Sequence, residues 1–350
     1  MITITRGNIL LADVEALVNT VNCVGFMGKG IALQFKKAFP ANYEFYRKAC
    51  AADEMKIGRM LVFSTGSLLN PKYIINFPTK THWKENSRLE NIKAGLIALV
   101  EVVKEREIES IAIPPLGCGL GGLVWDDVRP LIIKAFEQLP AVHVSLFEPV
   151  GAPEAKTMPI GTARPHLTLA RALIIKLMQQ YSRLSYRMTL LEIQKMAYFM
   201  QEAGERLELN YEEGIYGPYA KNLNKVLEIL EGHYIRGYGD RQSPGVELEL
   251  LQDAVSESDE FLADKMDSIG HLDRVARLVD GFETPYGMEL LSSVHWLAVH
   301  SERKAVDEDS AIALLYAWTD RKSKLFQKNH IRVAWRRLKA EGFLSSKDDA

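Results

Sequence analysis

Val18-Asn19-Thr20-Val21-Asn22-Cys23-Val24-Gly25-Phe26-Met27-Gly28-Lys29-Gly30-Ile31-Ala32 is the stretch that decides the fold. An apolar run ends in a glycine-bearing turn and passes straight into a helical pattern. Ile113-Pro114-Pro115-Leu116-Gly117-Cys118-Gly119-Leu120-Gly121-Gly122 repeats this plan about ninety residues later. A strand, a glycine turn and a helix start together aim backbone N–H groups at an anion. Four glycines in six positions exceed the needs of a simple turn, and consecutive N–H groups there make a nest for phosphate. Two such loops imply a diphosphate held from both sides, so the expected ligand is a nucleotide or an ADP-ribose unit.

The surrounding pattern agrees. Strands are predicted over Ile2–Thr5, Ala16–Val21, Met60–Ser64, Tyr73–Phe77, Ser110–Pro114 and Ala141–Phe147, with helices over Ile31–Phe39, Pro40–Ala52, Arg88–Arg106 and Trp125–Gln138. Leu89, Ile92, Leu96, Leu99, Val100 and Val103 recur at a helical period. Such alternation predicts an α/β domain over 1–149, a mixed central sheet flanked by helices. Residues 149–165, PVGAPEAKTMPIGTARP, hold four prolines and no periodicity, and predict a linker over 150–165. From 166 to 350 the pattern is mainly helical: Leu167–Tyr181, Thr189–Gly204, Tyr219–Glu231, Asp273–Phe282, Tyr286–His300, Ser310–Thr319 and Arg321–Gly342. The last of these reads as the end of a winged-helix-like unit.

At 350 residues the chain is long for one domain, and its net charge of −2 hides local asymmetry. Residues 245–310 carry 16 acidic and 5 basic side chains, whereas 321–340 carry eight basic and none acidic. Each is either a solvated face or a surface for a charged partner. Three cysteines (Cys23, Cys50 and Cys118) form no CxxC pair, which argues against disulfides and against zinc. No apolar run approaches the ~18 residues that span a bilayer. A cytoplasmic protein without metal, cofactor or membrane partner is expected.

The segments MGKGIALQFKK (27–37) and PPLGCGLGGLVWDDV (114–128) make residues 1–149 resemble a macrodomain, in the branch that holds the terminal ADP-ribose glycohydrolases. Over the whole chain the resemblance is to the DarG family, macrodomain antitoxins that remove ADP-ribose from thymidine bases in single-stranded DNA. It implies a DNA ADP-ribosyl glycohydrolase that releases ADP-ribose, and a C-terminal domain that binds a DarT-like toxin. It also implies roles for particular residues. Asn22 would sit against the ribose beside the scissile bond, although its spacing also suits a plain turn residue. Gly28, Lys29, Gly30 and Ile31 would meet the diphosphate and distal ribose. Pro115, Leu116, Gly117, Cys118, Gly119, Leu120 and Gly121 would form the opposing clamp, with Cys118 a packing residue rather than a nucleophile. Phe147 would be the adenine platform or a core residue. Asn8, beside Ile9, stands where the family commonly has an acid that reads adenine. Lys80, next to Thr79 in Asn76-Phe77-Pro78-Thr79-Lys80-Thr81-His82, falls at the family's active-site lysine. An ammonium there could stabilise or protonate a departing base, and a desolvated amine could attack the anomeric carbon.

The related protein glycohydrolases have an aspartate where this chain has Gly121. A lysine/aspartate pair is therefore absent at those positions. Alternatives are a non-catalytic ADP-ribose reader, a glycohydrolase acting on ADP-ribosylated protein, and a transcriptional regulator resting on the basic C-terminal helix. In the second half, Lys195 before Tyr198-Phe199, followed by Tyr216-Gly217-Pro218, resembles a helical domain found in antitoxins. Ile193, Met196, Ala197 and Met200 alongside it read as core. The acid-rich stretch suits a basic DNA groove on a toxin, by imitating phosphate charge.

Overall fold

The computed structural model describes residues 1–149, 158–182, 188–238 and 247–344. Most of the expected linker, 150–157, lies outside the described residues. The chain forms two compact units, one running from Met1 to Ala163 and one built from Arg164 onward.

The first unit contains β1 (Ile2–Thr5), β2 (Ala16–Asn22), α1 (Gly30–Ala38), α2 (Pro40–Ala51), β3 (Leu61–Ser64), β4 (Tyr73–Lys80), α3 (Leu89–Glu105), β5 (Ser110–Ile113), α4 (Trp125–Phe136) and β6 (His143–Phe147). The sheet order is β1-β6-β5-β2-β4-β3, with only β3 antiparallel to its neighbour. Strands β2 and β4 alternate their apolar side chains between two cores. Val18, Ile75 and Phe77 pack with Ile92, Leu96 and Leu99 of α3. Leu17 and Ile74 pack on the other face with Phe35 of α1. Burial on both faces explains the near-continuous apolar strands. It also places the carboxyl ends of β2, β4, β5 and β6 along one edge, the usual ligand edge of a parallel α/β sheet.

Strand β4 runs three residues beyond its predicted end. Pro78 lacks an N–H and looks like a terminator, but the ladder accommodates it at an irregularity. Val21 pairs with Pro78, and Asn22 then pairs with Lys80. The proline- and glycine-rich segment is also partly ordered. Met158 is buried with Ile9, Leu10 and Phe147, and the Gly161 N–H donates to the Lys37 carbonyl at 2.8 Å.

The second unit contains α5 (Leu169–Ser182), β7 (Met188–Thr189), α6 (Leu190–Glu202), β8 (Tyr211–Glu212), β9 (Tyr219–Ala220), α7 (Leu223–Leu230), β10 (Ile235–Arg236), β11 (Glu247–Leu250), α8 (Ala254–Leu262), α9 (Met266–Val279), α10 (Pro285–Val299), α11 (Glu308–Trp318), α12 (Asp320–Leu325) and α13 (Lys328–Ala340). Helix α6 is buried on every face from Leu190 to Met200. Its polar side chains therefore need partners. Lys195 Nζ donates to the Pro218 carbonyl at 2.6 Å, and Gln194 exchanges two hydrogen bonds with the Ala220 backbone, each at 3.1 Å. The Tyr216-Gly217-Pro218 turn, with Gly217 at φ 85°, is thus clamped onto α6. Ile193, Met196, Ala197 and Met200 are core, as their spacing indicates.

The single helix expected over 321–342 is two. Phe326 is buried and extended between α12 and α13, and its carbonyl accepts the Tyr316 hydroxyl at 2.9 Å. No strand follows α13 among the described residues, so a winged-helix ending has no wing there. The basic stretch is largely committed within the fold. Arg321 and Lys322 pair with Glu289, Arg332 and Arg336 pair with Glu308, and Arg337 donates to backbone carbonyls at Arg277 and Asp280. These partners engage five of the eight cations on which the DNA-regulator alternative rested, and Lys324, Lys328 and Lys339 are exposed. No helix among the described residues is long and apolar enough to cross a membrane.

Candidate active site

The two glycine loops leave β2 and β5, which are adjacent in the sheet. The first loop is organised by Asn22. Its Oδ1 accepts from the Val24 N–H at 3.0 Å and from the Tyr46 hydroxyl at 3.1 Å, and its Nδ2 donates to the Phe26 carbonyl at 2.6 Å. The turn role is therefore realised, and the same side chain stands at the end of β2 beside Lys80. Beneath it lies a buried amide network that the sequence reading did not single out. Asn76 Oδ1 accepts from Asn19 Nδ2 at 3.0 Å, and Asn76 Nδ2 donates to Asn42 Oδ1 at 2.7 Å. This joins β2, β4 and α2 directly under the loop. The hints in the sequence were asparagines at positions 19 and 76 within apolar strand runs.

The second loop is compact because its glycines are. Gly117 has φ 73°, and a Cβ on it would meet Leu123 and Ser87 at 2.8 and 3.0 Å. A Cβ on Gly121 would lie 2.3 Å from Ser87 Oγ and 2.4 Å from the Gly117 carbonyl oxygen. The aspartate of the related protein glycohydrolases has no room there. The loop is further tied by the Leu123 N–H to Gly117 and the Ser87 N–H to Gly121, at 3.0 and 2.9 Å. Gly30 opens α1 with φ 55°, and the position of its missing Cβ lies 3.6 Å from Leu120, so the loops face each other at that point. Lys29, Gly119 and Leu120 are exposed on the rim, Gly28 is buried and Ile31 is half-buried. Leu116 is fully buried beneath, and Pro115 is half-buried.

Lys80 ends β4 in register with Asn22 and lies against the second loop. Its Nζ donates to the Leu120 carbonyl and to the Glu85 carbonyl, each at 3.0 Å. Burial lowers its pKa from the ordinary lysine value, with the Glu85 carboxylate partly offsetting the shift. The Thr79 hydroxyl faces the Val21 carbonyl at 3.5 Å, so it braces β4 against β2. Both loop cysteines are poor nucleophiles, since burial pushes the Cys23 and Cys118 thiols up to about 11.

The adenine candidates are elsewhere on the same unit. Asn8 and Phe147 line a cleft of about 310 Å³ together with Thr5 and Leu11. Phe147 is 7% exposed, so most of its ring serves the core. Asn8 caps a short 3-10 turn, Ile9–Leu11, through the Leu10 N–H at 3.0 Å, and its Nδ2 contacts Met158 Sδ at 3.3 Å. Ile9 itself is core. A larger cleft of about 480 Å³, between Arg164 and Phe261, lies in the second unit and holds none of these residues. One cluster of potential metal ligands is present among the described residues, Glu202, His295 and His300, also in the second unit. Both nitrogens of His295 are hydrogen-bonded, to the Tyr198 hydroxyl and the Phe343 carbonyl, and His300 Nε2 pairs with Glu202.

Comparison with known proteins gives the family. The Macro domain family model matches residues 18–132. The DNA ADP-ribosyl glycohydrolase of Thermus aquaticus is 47% identical over 344 residues, covering 98% of this chain and 94% of that protein. The chain belongs to the DNA ADP-ribosyl glycohydrolase family. It is a macrodomain hydrolase joined to a mainly helical region. The DNA ADP-ribosyl transferase–DNA ADP-ribosyl glycohydrolase fusion protein of Thermosipho africanus is 33% identical over 164 residues, covering 43% of this chain and 42% of the fusion. The solved macrodomain of Mycobacterium tuberculosis DarG is 55% identical, covering 43% of this chain and 99% of that structure, with a TM-score of 0.43.

Proposed function

We propose that this glycohydrolase cleaves the N-glycosidic bond between ADP-ribose and thymidine bases in single-stranded DNA. The observation that carries this reading is the pairing of Asn22 with Lys80 across β2 and β4, with the lysine Nζ held by the Leu120 carbonyl of the second glycine loop and by the Glu85 carbonyl. The loops would grip the diphosphate through backbone N–H groups, while the cleft beside Asn8 and Phe147 would take adenine. Cleavage breaks the bond from the anomeric carbon to the base nitrogen, and water supplies the new hydroxyl. The base leaves with the bonding pair and must gain a proton. An ammonium carries three N–H bonds, and two of those on Lys80 point at carbonyls. The third is then available to the departing base, and the two carbonyl dipoles favour the charged form. The packing at Gly121 supports a route without a second catalytic carboxylate there.

The test is a thymidine-ADP-ribosylated single-stranded oligonucleotide. Incubation with the protein should yield unmodified DNA and free ADP-ribose. Binding of ADP-ribose without its release from the oligonucleotide would make the protein a reader instead.

The proposed function extends to neutralising the toxin that writes the modification, a DarT-like ADP-ribosyltransferase bound through the second unit. The fused transferase and glycohydrolase of the Thermosipho relative support such a pairing. So does the acid-rich stretch, which shows Asp253, Glu260, Asp267 and Asp273 exposed on or beside α8 and α9. Such a surface can occupy a groove that binds DNA phosphate. Converting these four to amides should weaken binding to the toxin at least about tenfold, with slower association and a shallower salt dependence. Undiminished binding by the folded variant would remove the phosphate-mimic explanation.

A further inference from the structure

Two large aromatic side chains stand half-exposed where the loops from the catalytic strands meet. Phe26 lies four residues past Asn22 and is 46% exposed, and Trp83 lies three past Lys80 and is 44% exposed. Their ring centroids are 5.6 Å apart with planes inclined by 41°. His82 extends the surface, 5.3 Å from Trp83. The two loops are fastened together, because the Cys23 N–H donates to the Thr81 carbonyl at 3.0 Å. Asn22 Nδ2 also holds the Phe26 carbonyl, so the aromatic pair moves with the catalytic strand ends. Isolated exposed apolar residues need no explanation, but a contiguous aromatic pair at the mouth of a site does.

The charge around the pair narrows its occupant. Lys84 Nζ sits 5.1 Å from the Trp83 ring centre, and Arg88 is exposed further along the same segment. Glu85, the loop's acid, accepts the His82 N–H at 3.4 Å. Aromatic faces flanked by cations fit stacked bases and the phosphates between them, and make a poor fit for an acidic protein side chain. None of the backbone groups expected to hold ADP-ribose comes from the segment that carries Trp83.

We propose that Phe26 and Trp83 form a stacking seat for a base of the single-stranded DNA beside the modified thymine, with Lys84 meeting the adjoining phosphate. This rests on the DNA reading above and adds a subsite on the leaving-group side of Lys80. It explains how a loop-built site can favour a DNA strand over a lone modified nucleoside.

The test compares an ADP-ribosylated oligonucleotide with ADP-ribosylated thymidine as substrates. Trp83→Ala and Phe26→Ala should each lower the oligonucleotide-to-nucleoside ratio of kcat/KM at least about tenfold, chiefly through KM, and Trp83→Tyr should restore most of it. Binding is read separately by fluorescence anisotropy of the labelled modified oligonucleotide, in a Lys80→Ala background that prevents turnover. Trp83→Ala should weaken that binding about tenfold while ADP-ribose affinity, from calorimetry, changes far less. An unchanged ratio, or equal loss for oligonucleotide and ADP-ribose, overturns the seat. If the wild-type protein fails to release ADP-ribose from DNA, the hydrolytic reading falls. The anisotropy measurement still decides the seat.

Discussion

Lys80→Ala is expected to lower kcat for ADP-ribose release from DNA by about 10²–10⁴-fold, the usual worth of a positioned acid, and to leave ADP-ribose affinity within about fivefold. Affinity should survive because the diphosphate is expected to be held by backbone N–H groups of the two loops, not by this side chain. It should not be wholly unchanged, since Lys80 also bridges Glu85 and Leu120 and so sets the spacing of the second loop. Lys80→Arg keeps the charge but places it on a planar, larger group, and should recover binding more fully than turnover.

The pH profile separates the roles open to this lysine. Burial lowers its pKa from 10.5. An ammonium that donates to the leaving base loses activity as pH rises through that lowered value. An amine that attacks the anomeric carbon would gain activity over the same interval. The two carbonyl acceptors on Nζ argue for the first, so kcat should be level near neutrality and fall in the alkaline range. A rising alkaline limb, together with a trapped covalent adduct, would assign the nucleophilic role.

The first unit was legible because its strands are apolar on both faces and its turns carry glycine. Those two signals set β2, β5 and both loops within a residue or two. Legibility failed where a residue type argued against its own environment. Pro78 shortened β4 in the reading, although a ladder irregularity absorbs it, and Lys80 was then seen beyond the strand rather than as its last residue. Helix α8 was missed because its buried positions are Ala254, Ser258 and Leu262, spaced as a helix face but too small and polar to show as one. Asn22 and Lys80 were singled out through the family resemblance. Their cross-strand pairing needs the parallel register of two strands more than fifty residues apart, which no local pattern encodes.

The second unit also buries what a sequence shows least clearly, charge. Glu289 is 2% exposed on α10, and Arg321 grips its two oxygens at 2.6 and 3.0 Å. Lys322, fully buried, reaches the same carboxylate at 2.9 Å and Ser293 Oγ at 3.0 Å. Burial, helped by the nearby Lys322 cation, pulls the pKa of Lys195 down to about 7. One carboxylate therefore offsets the charge around the Tyr216-Gly217-Pro218 turn. Glu289→Ala should destabilise the unit by about 3–5 kcal/mol, because it leaves buried cations without a counter-charge. A cavity alone would cost less, and pH tells the two apart. Lys195 has a lower pKa folded than unfolded, so the unfolded chain binds more protons and stability rises between about pH 7 and 10.5. Removing Glu289 lowers the folded pKa values of Lys195 and Lys322 further and widens that window downward. The melting temperature of Glu289→Ala should recover more steeply with rising pH than that of the wild type. Parallel curves would mean that packing, not charge balance, is what Glu289 supplies.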